Sequence, residues 1–189
     1  GGTAGAGGHG TGGFDLSVGS TAALSGAVTA ICLVNDVPVA AAILAGLLAG
    51  AGIGLVNGVV IAKVGINPFI TTLAMMRIVR GALQVLVAEP LTGLPASFKW
   101  IGQRMFFGVQ YPILIALVLV VAGDLLLRKS RFFRQNYYLG GNEKAAILSG
   151  ISVDRLKIFN YALTGLLAAL AGIVMTARFG SVSASANVG

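Results

Sequence analysis

The sequence predicts an all-α fold, a polytopic transmembrane bundle of about five spans, and three observations lead there. Of its 189 residues, 56% are apolar and only 10% are charged, and the mean hydropathy is +0.90, a balance that suits lipid rather than water. Apolar runs stand at Leu16 to Val34, Val39 to Ala62, Phe69 to Ala88, Tyr111 to Leu127 and Ile158 to Ala177, more than half of the chain. Sixteen of the nineteen charged residues lie outside these runs, and the three inside are Arg77, Arg80 and Asp124. As a helix, a run such as Val39 to Ala62 is about 36 Å long, enough for a hydrocarbon core of about 30 Å with some tilt. A soluble bundle would carry a charged stripe on most helices, whereas this run has Asn57 as its only strongly polar side chain.

Composition also excludes several kinds of chemistry. Apolar content rules out disorder, and a disulfide scaffold cannot form because Cys32 is the only cysteine. One histidine, His9, and six scattered carboxylates give no metal-ligand set. No nucleophile and base can be paired from the polar residues, which disfavours a membrane-embedded enzyme. The opening Gly1 to Gly13 contains Gly5-Ala-Gly-Gly-His-Gly10, formally a G-x-G-x-x-G, but no strand precedes it and no βαβ unit follows. It reads as a flexible or artificial segment. No cleavable signal peptide is expected, since a basic region, a short apolar stretch and a small-residue cleavage site are not found in order. A phosphate-binding G-x-x-x-x-G-K-[ST] is not found either, so the chain is not expected to hydrolyse ATP by itself.

Taken in order, the first two runs are joined by Asn35-Asp-Val-Pro38, a tight turn that makes them an antiparallel pair. The second run carries Gly46, Gly50, Gly54 and Gly58 at a spacing of four, a face that lets another helix approach closely. A similar surface recurs at Ala162, Gly165, Ala168, Ala169 and Gly172. Packing is the simpler reading of these faces, and sliding during a conformational change is the functional one. In the third run Arg77, Arg80 and Gln84 share a face at i, i+3 and i+7. Charge in hydrocarbon is costly unless paired or hydrated, so this face is expected to look inward, onto a polar pathway or an ion-pair site. Pairing with an acid such as Asp15, or snorkelling to an interface, explains it equally well. Pro90, Pro95, Trp100 and several phenylalanines mark residues 89 to 110 as an interfacial aromatic segment. Asp124 lies one turn from Arg128, a sufficient partner.

The connection from 128 to 157 holds Arg128, Lys129, Arg131, Arg134, Lys144, Arg155 and Lys157 against Glu143 and Asp154, which makes it cytoplasmic. Alternation of the runs then puts Lys63 on the same side and Lys99, Arg104 and Arg178 outside. Topology and anionic lipid headgroups account for the net charge of +7, so no nucleic acid is expected as a partner. Within this loop Asn142 is a good N-cap, Glu143 suits the positive end of a helix dipole and Gly150 is a natural stop, predicting a helix of about two turns. Ser152 can cap the next helix, with Asp154 in its first turn. Exposed Ile147 and Leu148 on that short helix call for a protein partner, or for a helix lying on the membrane.

Several segments, in this order and spacing, resemble the permease subunits of bacterial ribose-type sugar ATP-binding-cassette importers. They are Gly12-Gly-Phe-Asp-Leu-Ser-Val-Gly-Ser20, Gly54-Leu-Val-Asn-Gly-Val-Val-Ile-Ala-Lys63, Asn67-Pro-Phe-Ile-Thr-Thr-Leu73, Arg80-Gly81, and Leu139-Gly-Gly-Asn-Glu143 through Ser149-Gly-Ile151. The resemblance covers about residues 12–189 and implies a multi-pass subunit of the bacterial inner membrane. Such a subunit pairs as a dimer, receives sugar from a periplasmic binding protein, and is driven by ATPase subunits that hold the ATP and Mg, with no cofactor on this chain. By that analogy Asn142, Glu143, Ala145, Ala146, Ile147, Leu148 and Gly150 form an ATPase-coupling helix. Asp15 and Ser17 stand at a helix break near a translocation path, to which Asn57, Arg77, Arg80 and Gln84 are assigned as well. Residues 1–11 do not resemble the apolar helix expected upstream, and the chain stops where family members continue, so a partial permease domain over 12–189 is expected. A self-contained secondary transporter or channel, using Arg77, Arg80 and Asp124 for ion coupling, is the alternative.

Overall fold

The computed structural model describes residues 15–130 and 152–184, with the single positions 135, 148 and 150. Within them six α-helices follow in order: α1 (Val18–Val34), α2 (Val39–Val59), α3 (Pro68–Leu86), α4 (Ala96–Gln103), α5 (Tyr111–Lys129) and α6 (Val153–Phe179). A π-helical turn, Val60–Val64, prolongs α2, and a two-stranded hairpin, β1 (Met105–Phe106) and β2 (Val109–Gln110), joins α4 to α5. Four of the helical segments are long and apolar enough to cross a membrane: Val39–Val64, Pro68–Leu86, Tyr111–Lys129 and Val153–Phe179. The fifth expected run forms α1, apolar but shorter at 17 residues.

Each boundary has a local cause. Asn35 closes α1 by donating its side-chain amide to the Ile31 carbonyl at 2.8 Å, and Asp36 then turns the chain at φ 60°. Gly65, at φ 77°, ends the π-turn in the left-handed conformation that glycine adopts without a Cβ penalty. Asn67 caps α3 by accepting the Phe69 N–H at 2.9 Å, with Pro68 in the first helical position, where its missing N–H costs nothing. Ser152 occupies the N-cap position of α6 but makes no side-chain capping bond, contrary to the sequence expectation. Here Asp154, in the first turn, lies 3.0 Å from Lys63 of the π-turn and supplies a charge at the helix start.

Packing centres on α1, α2 and α6, which make the most extensive contacts in the described bundle. Lipid supplies no hydrophobic drive between helices, so close van der Waals contact and hydrogen bonds must hold them. The α2 glycines provide that contact. A Cβ added at Gly46 would lie 2.7 Å from the Ser25 carbonyl oxygen, one at Gly50 2.6 Å from the Gly165 oxygen, and one at Gly58 2.7 Å from the Ile158 Cα. At Gly54 it would collide with the Tyr161 carbonyl. On α6, Gly172 abuts the Ala22 carbonyl of α1 in the same way. The order of these pairs makes α2 antiparallel to both neighbours and α1 parallel to α6.

The remaining elements are arranged around this unit. α3 packs on α1 through a face that buries Thr71, Thr72, Val79 and Leu83. At one end of the bundle Val87, Leu94 and Phe98 join Leu33, Ile173 and Ala177 in a buried cluster. There Leu91 pairs with Val182 in a β-bridge, and the Gln103 side chain donates to the Arg178 carbonyl at 3.0 Å. Lys63 and Asp154 meet at the opposite end. This sorting of the connections matches the alternation read from the basic residues. The 89–110 connection is more structured than a simple aromatic segment, because Phe98 and Gly102 seat α4 on the end of α6. α5 has no buried residue, and its contacts are with α4 and β2.

Gly54→Leu is expected to destabilise the folded protein by about 1–3 kcal/mol or to prevent folding, as overpacking does. Gly52→Leu, on the same helix with nothing within 4 Å of an added Cβ, is expected to be neutral. Thermal melting in detergent distinguishes the two.

Candidate functional site

Polar groups inside this unit follow the same spacing as the glycines. Ser17, Thr21, Ser25 and Thr29 recur every four residues through α1 and its N-terminal turn, and all are buried. They face α2, where Thr29 and Ser25 lie over Gly46 and Gly50. Thr29 returns its hydroxyl to the Ser25 carbonyl at 3.0 Å, an internal bond that leaves the helix surface small and neutral.

At the Lys63 end the seam becomes a chain of three side chains. The Asn57 amide, 0% exposed, donates to Ser17 Oγ at 2.9 Å. Ser17 Oγ in turn donates to Asp15 Oδ1 at 2.6 Å, and the same carboxylate oxygen accepts the Ser17 N–H at 2.8 Å. Asp15 is thereby held at the mouth of the seam by the backbone entering α1. Three buried side-chain atoms, Ser25 Oγ, Asn57 Oδ1 and Tyr161 Oη, have no hydrogen-bond partner among the described residues. An unpaired buried group of this kind costs about 1–3 kcal/mol. The arrangement can offer hydrogen bonds to a neutral polar molecule or to water, and it places one carboxylate, Asp15, at its edge. Among the described residues no group of His, Cys, Asp and Glu is placed to hold a metal ion.

The other expected path residues lie elsewhere. Arg77 and Gln84 are exposed and Arg80 is partly buried, on the side of α3 turned away from α1. Against the described helices Thr71, Thr72, Val79 and Leu83 take the packing face, and the arginine row is left open. Neither arginine has an ion-pair partner among the described residues, and Asp15, the acid considered for that role, is engaged with Ser17. Asp124 pairs with Arg128 at 2.8 Å within α5, as its spacing predicts.

Of the loop residues, Leu148 is helical and 90% exposed, and Gly150 forms a turn at φ 77°. Asn142, Glu143, Ala145, Ala146 and Ile147 lie outside the described residues. Sequence reasoning missed Tyr161, Ser25 and the Lys63–Asp154 pair. The Ser/Thr spacing of four was a legible signal for Ser25, whereas the ion pair spans 91 positions and had none.

Long apolar helices joined through small residues, with a buried polar seam near one end, define a multi-pass helical membrane protein. The chain belongs to the family described as the permease component of branched-chain amino acid transport systems, whose model matches residues 10–189. It is 43% identical over 180 residues to the ribose import permease protein RbsC of Bacillus subtilis, covering 94% of this chain and 56% of that protein. Against RbsC of Escherichia coli K12 the identity is 43% over 184 residues, covering 95% and 57%. With the E. coli L-arabinose transport system permease protein AraH it is 41% over 180 residues, covering 95% and 55%. The chain thus spans a little more than half the length of these relatives. No solved structure matches it.

Ser17→Ala is expected to lower stability by about 1–3 kcal/mol, because it strands the Asn57 amide in a fully buried position. Adding Asn57→Leu removes both ends of the bond, so the double variant is expected to melt no lower than Ser17→Ala alone.

Proposed function

We propose that the protein is a membrane subunit of an ATP-binding-cassette importer that carries a monosaccharide, of the ribose or arabinose kind, across the bacterial inner membrane. The observation that carries this reading is the collinear identity of 41–43% with two kinds of pentose permease over nearly the whole chain. The subunit works with a second permease subunit, receives sugar from a periplasmic binding protein, and leaves ATP and Mg to separate ATPase subunits. The permease domain comprises residues 12–189, and residues 1–11 stay unassigned.

In this reading the loop 128–157 transmits the motion of the ATPase. Its docking helix is Asn142 to Gly150, with Leu148 presenting an apolar side chain outward. Movement there reaches the bundle through the start of α6, which the Asp154–Lys63 pair ties to the end of α2. The close-packed α1, α2 and α6 then move together, and alternating access follows from their rocking against the rest of the permease. Asp15, Ser17 and Asn57 supply polar contacts beside the path, and hydroxyl-rich neutral sugars suit a seam of hydrogen-bonding groups with a single carboxylate. Arg77, Arg80 and Gln84 belong to the path only through a surface that the remaining subunits or spans cover. A self-contained carrier using Arg77, Arg80 and Asp124 is the weaker reading, since Arg128 already engages Asp124.

Co-purification from membranes with a sugar-importer ATPase tests the coupling role. Leu148→Asp is expected to insert normally and to reduce ATPase capture at least about tenfold, which corresponds to a loss of about 1.4 kcal/mol. Undiminished capture by the variant would contradict the assignment of the docking helix.

A further inference from the structure

The hairpin between α4 and α5 combines exposure, backbone strain and position in a way that transport does not explain. Met105 pairs with Gln110 and Phe106 with Val109, leaving Phe107 and Gly108 as the two turn residues. Both have positive φ, 48° and 79°. A two-residue turn of this kind favours Asn-Gly or Asp-Gly, because a bulky side chain is strained in the left-handed region. Here the first place is taken by a phenylalanine that is 92% exposed, and Met105 and Phe106 beside it are 58% and 55% exposed. The Phe106 and Phe107 rings meet edge to face at 4.7 Å, so the tip is one apolar wedge rather than two independent side chains.

Its surroundings name the medium that covers it. The hairpin is closed at its base by the Tyr111 N–H donating to the Arg104 carbonyl at 3.0 Å, and Tyr111 is the first residue of a candidate membrane span. Trp100 packs edge to face on Tyr111 at 5.2 Å, while the Arg104 guanidinium lies over the Trp100 ring at 4.6 Å. Aromatic rings with a polar edge, capped by a cation, are the side chains that settle at the headgroup level. Between Glu89 and Asp124 the only charged residues are Lys99 and Arg104, both cationic, which complements anionic headgroups.

We propose that residues 105–109 form a lipid anchor, with Phe106 and Phe107 inserted at the boundary of headgroups and acyl chains beside the adjoining end of α5. The occupant is the bilayer itself. The anchor fixes the level of that end of α5, which has no buried residue to hold it.

A nitroxide at Phe107→Cys in a Cys32→Ser background, in the intact permease reconstituted in nanodiscs containing phosphatidylglycerol, tests this. Collision rates are measured with oxygen, which partitions into lipid, and with a water-soluble nickel chelate. Glu89→Cys serves as the aqueous reference and Val120→Cys, on exposed α5, as the lipid reference. The oxygen-to-nickel ratio at position 107 is expected to be several-fold above that at position 89 and to approach that at 120. A ratio equal to that at 89 would overturn the proposal, whether or not a periplasmic binding protein then excludes the chelate. Low collision rates with both probes would overturn it too, because protein and not lipid would then cover the tip. If labelling at 107 disturbs the turn, bromine-labelled lipids provide a second reading through Trp100, the only tryptophan of these 189 residues, with any tryptophan elsewhere in the permease replaced by phenylalanine: quenching is expected to weaken in Phe107→Asn, and unchanged quenching would contradict the anchor.

Discussion

Close approach of backbones along α2 is the constraint on which the other features depend. Helices in lipid gain little by hiding apolar surface from one another, since the acyl chains are as apolar as leucine. What remains is contact, and contact between backbones requires residues with no side chain at the crossing. Gly46, Gly50, Gly54 and Gly58 meet that requirement over four successive turns, with α1 on one flank and α6 on the other. Because a Cβ at these positions would overlap atoms of the neighbours, the register the three helices adopt keeps this face of α2 inward, and turning α2 about its axis would put Leu, Val or Ile against a carbonyl.

From that register the polar seam follows. Once Gly50 lies against Ser25, Asn57 is carried to Ser17, and the helix entry at Asp15 completes the chain of hydrogen bonds. The same geometry brings Lys63 to Asp154 at the point where the 128–157 loop rejoins the bundle. The unit carries an ion pair at one end and a folded cap of α4, Leu91 and Val182 at the other. The elements with open surfaces are α3, with its arginine row, and α5. These are the surfaces that the described helices leave uncovered.

Much of this was legible in the residues. Apolar runs located every long helix among the described residues, because a span needs both length and freedom from charge, and both can be read along the chain. Glycine spacing identified the packing faces of α2 and α6, since the period of four is itself the geometry of contact. The 35–38 turn and Gly150 were readable for similar local reasons. What could not be read was relational. The direction of the Arg77, Arg80 and Gln84 row depends on which side of α3 meets α1, and Val79 and Leu83 compete for that side without any local sign of the winner. The π-turn at Val60–Val64 has no composition that separates it from the helix before it. Asn57 was recognisable as the lone polar residue of its run, but its bond to Ser17 arises only after the glycines have set the crossing.

Cross-linking of α1 to α2 in native membranes tests this register most directly. In a Cys32→Ser background, Ser17→Cys with Asn57→Cys is expected to be bridged by a short bifunctional thiol reagent, and Ser17→Cys with Ile53→Cys, one turn away, is not. Preferential bridging of the 17 and 57 pair would agree with helices locked by the glycine face. Equal bridging of both pairs, or preference for position 53, would contradict it.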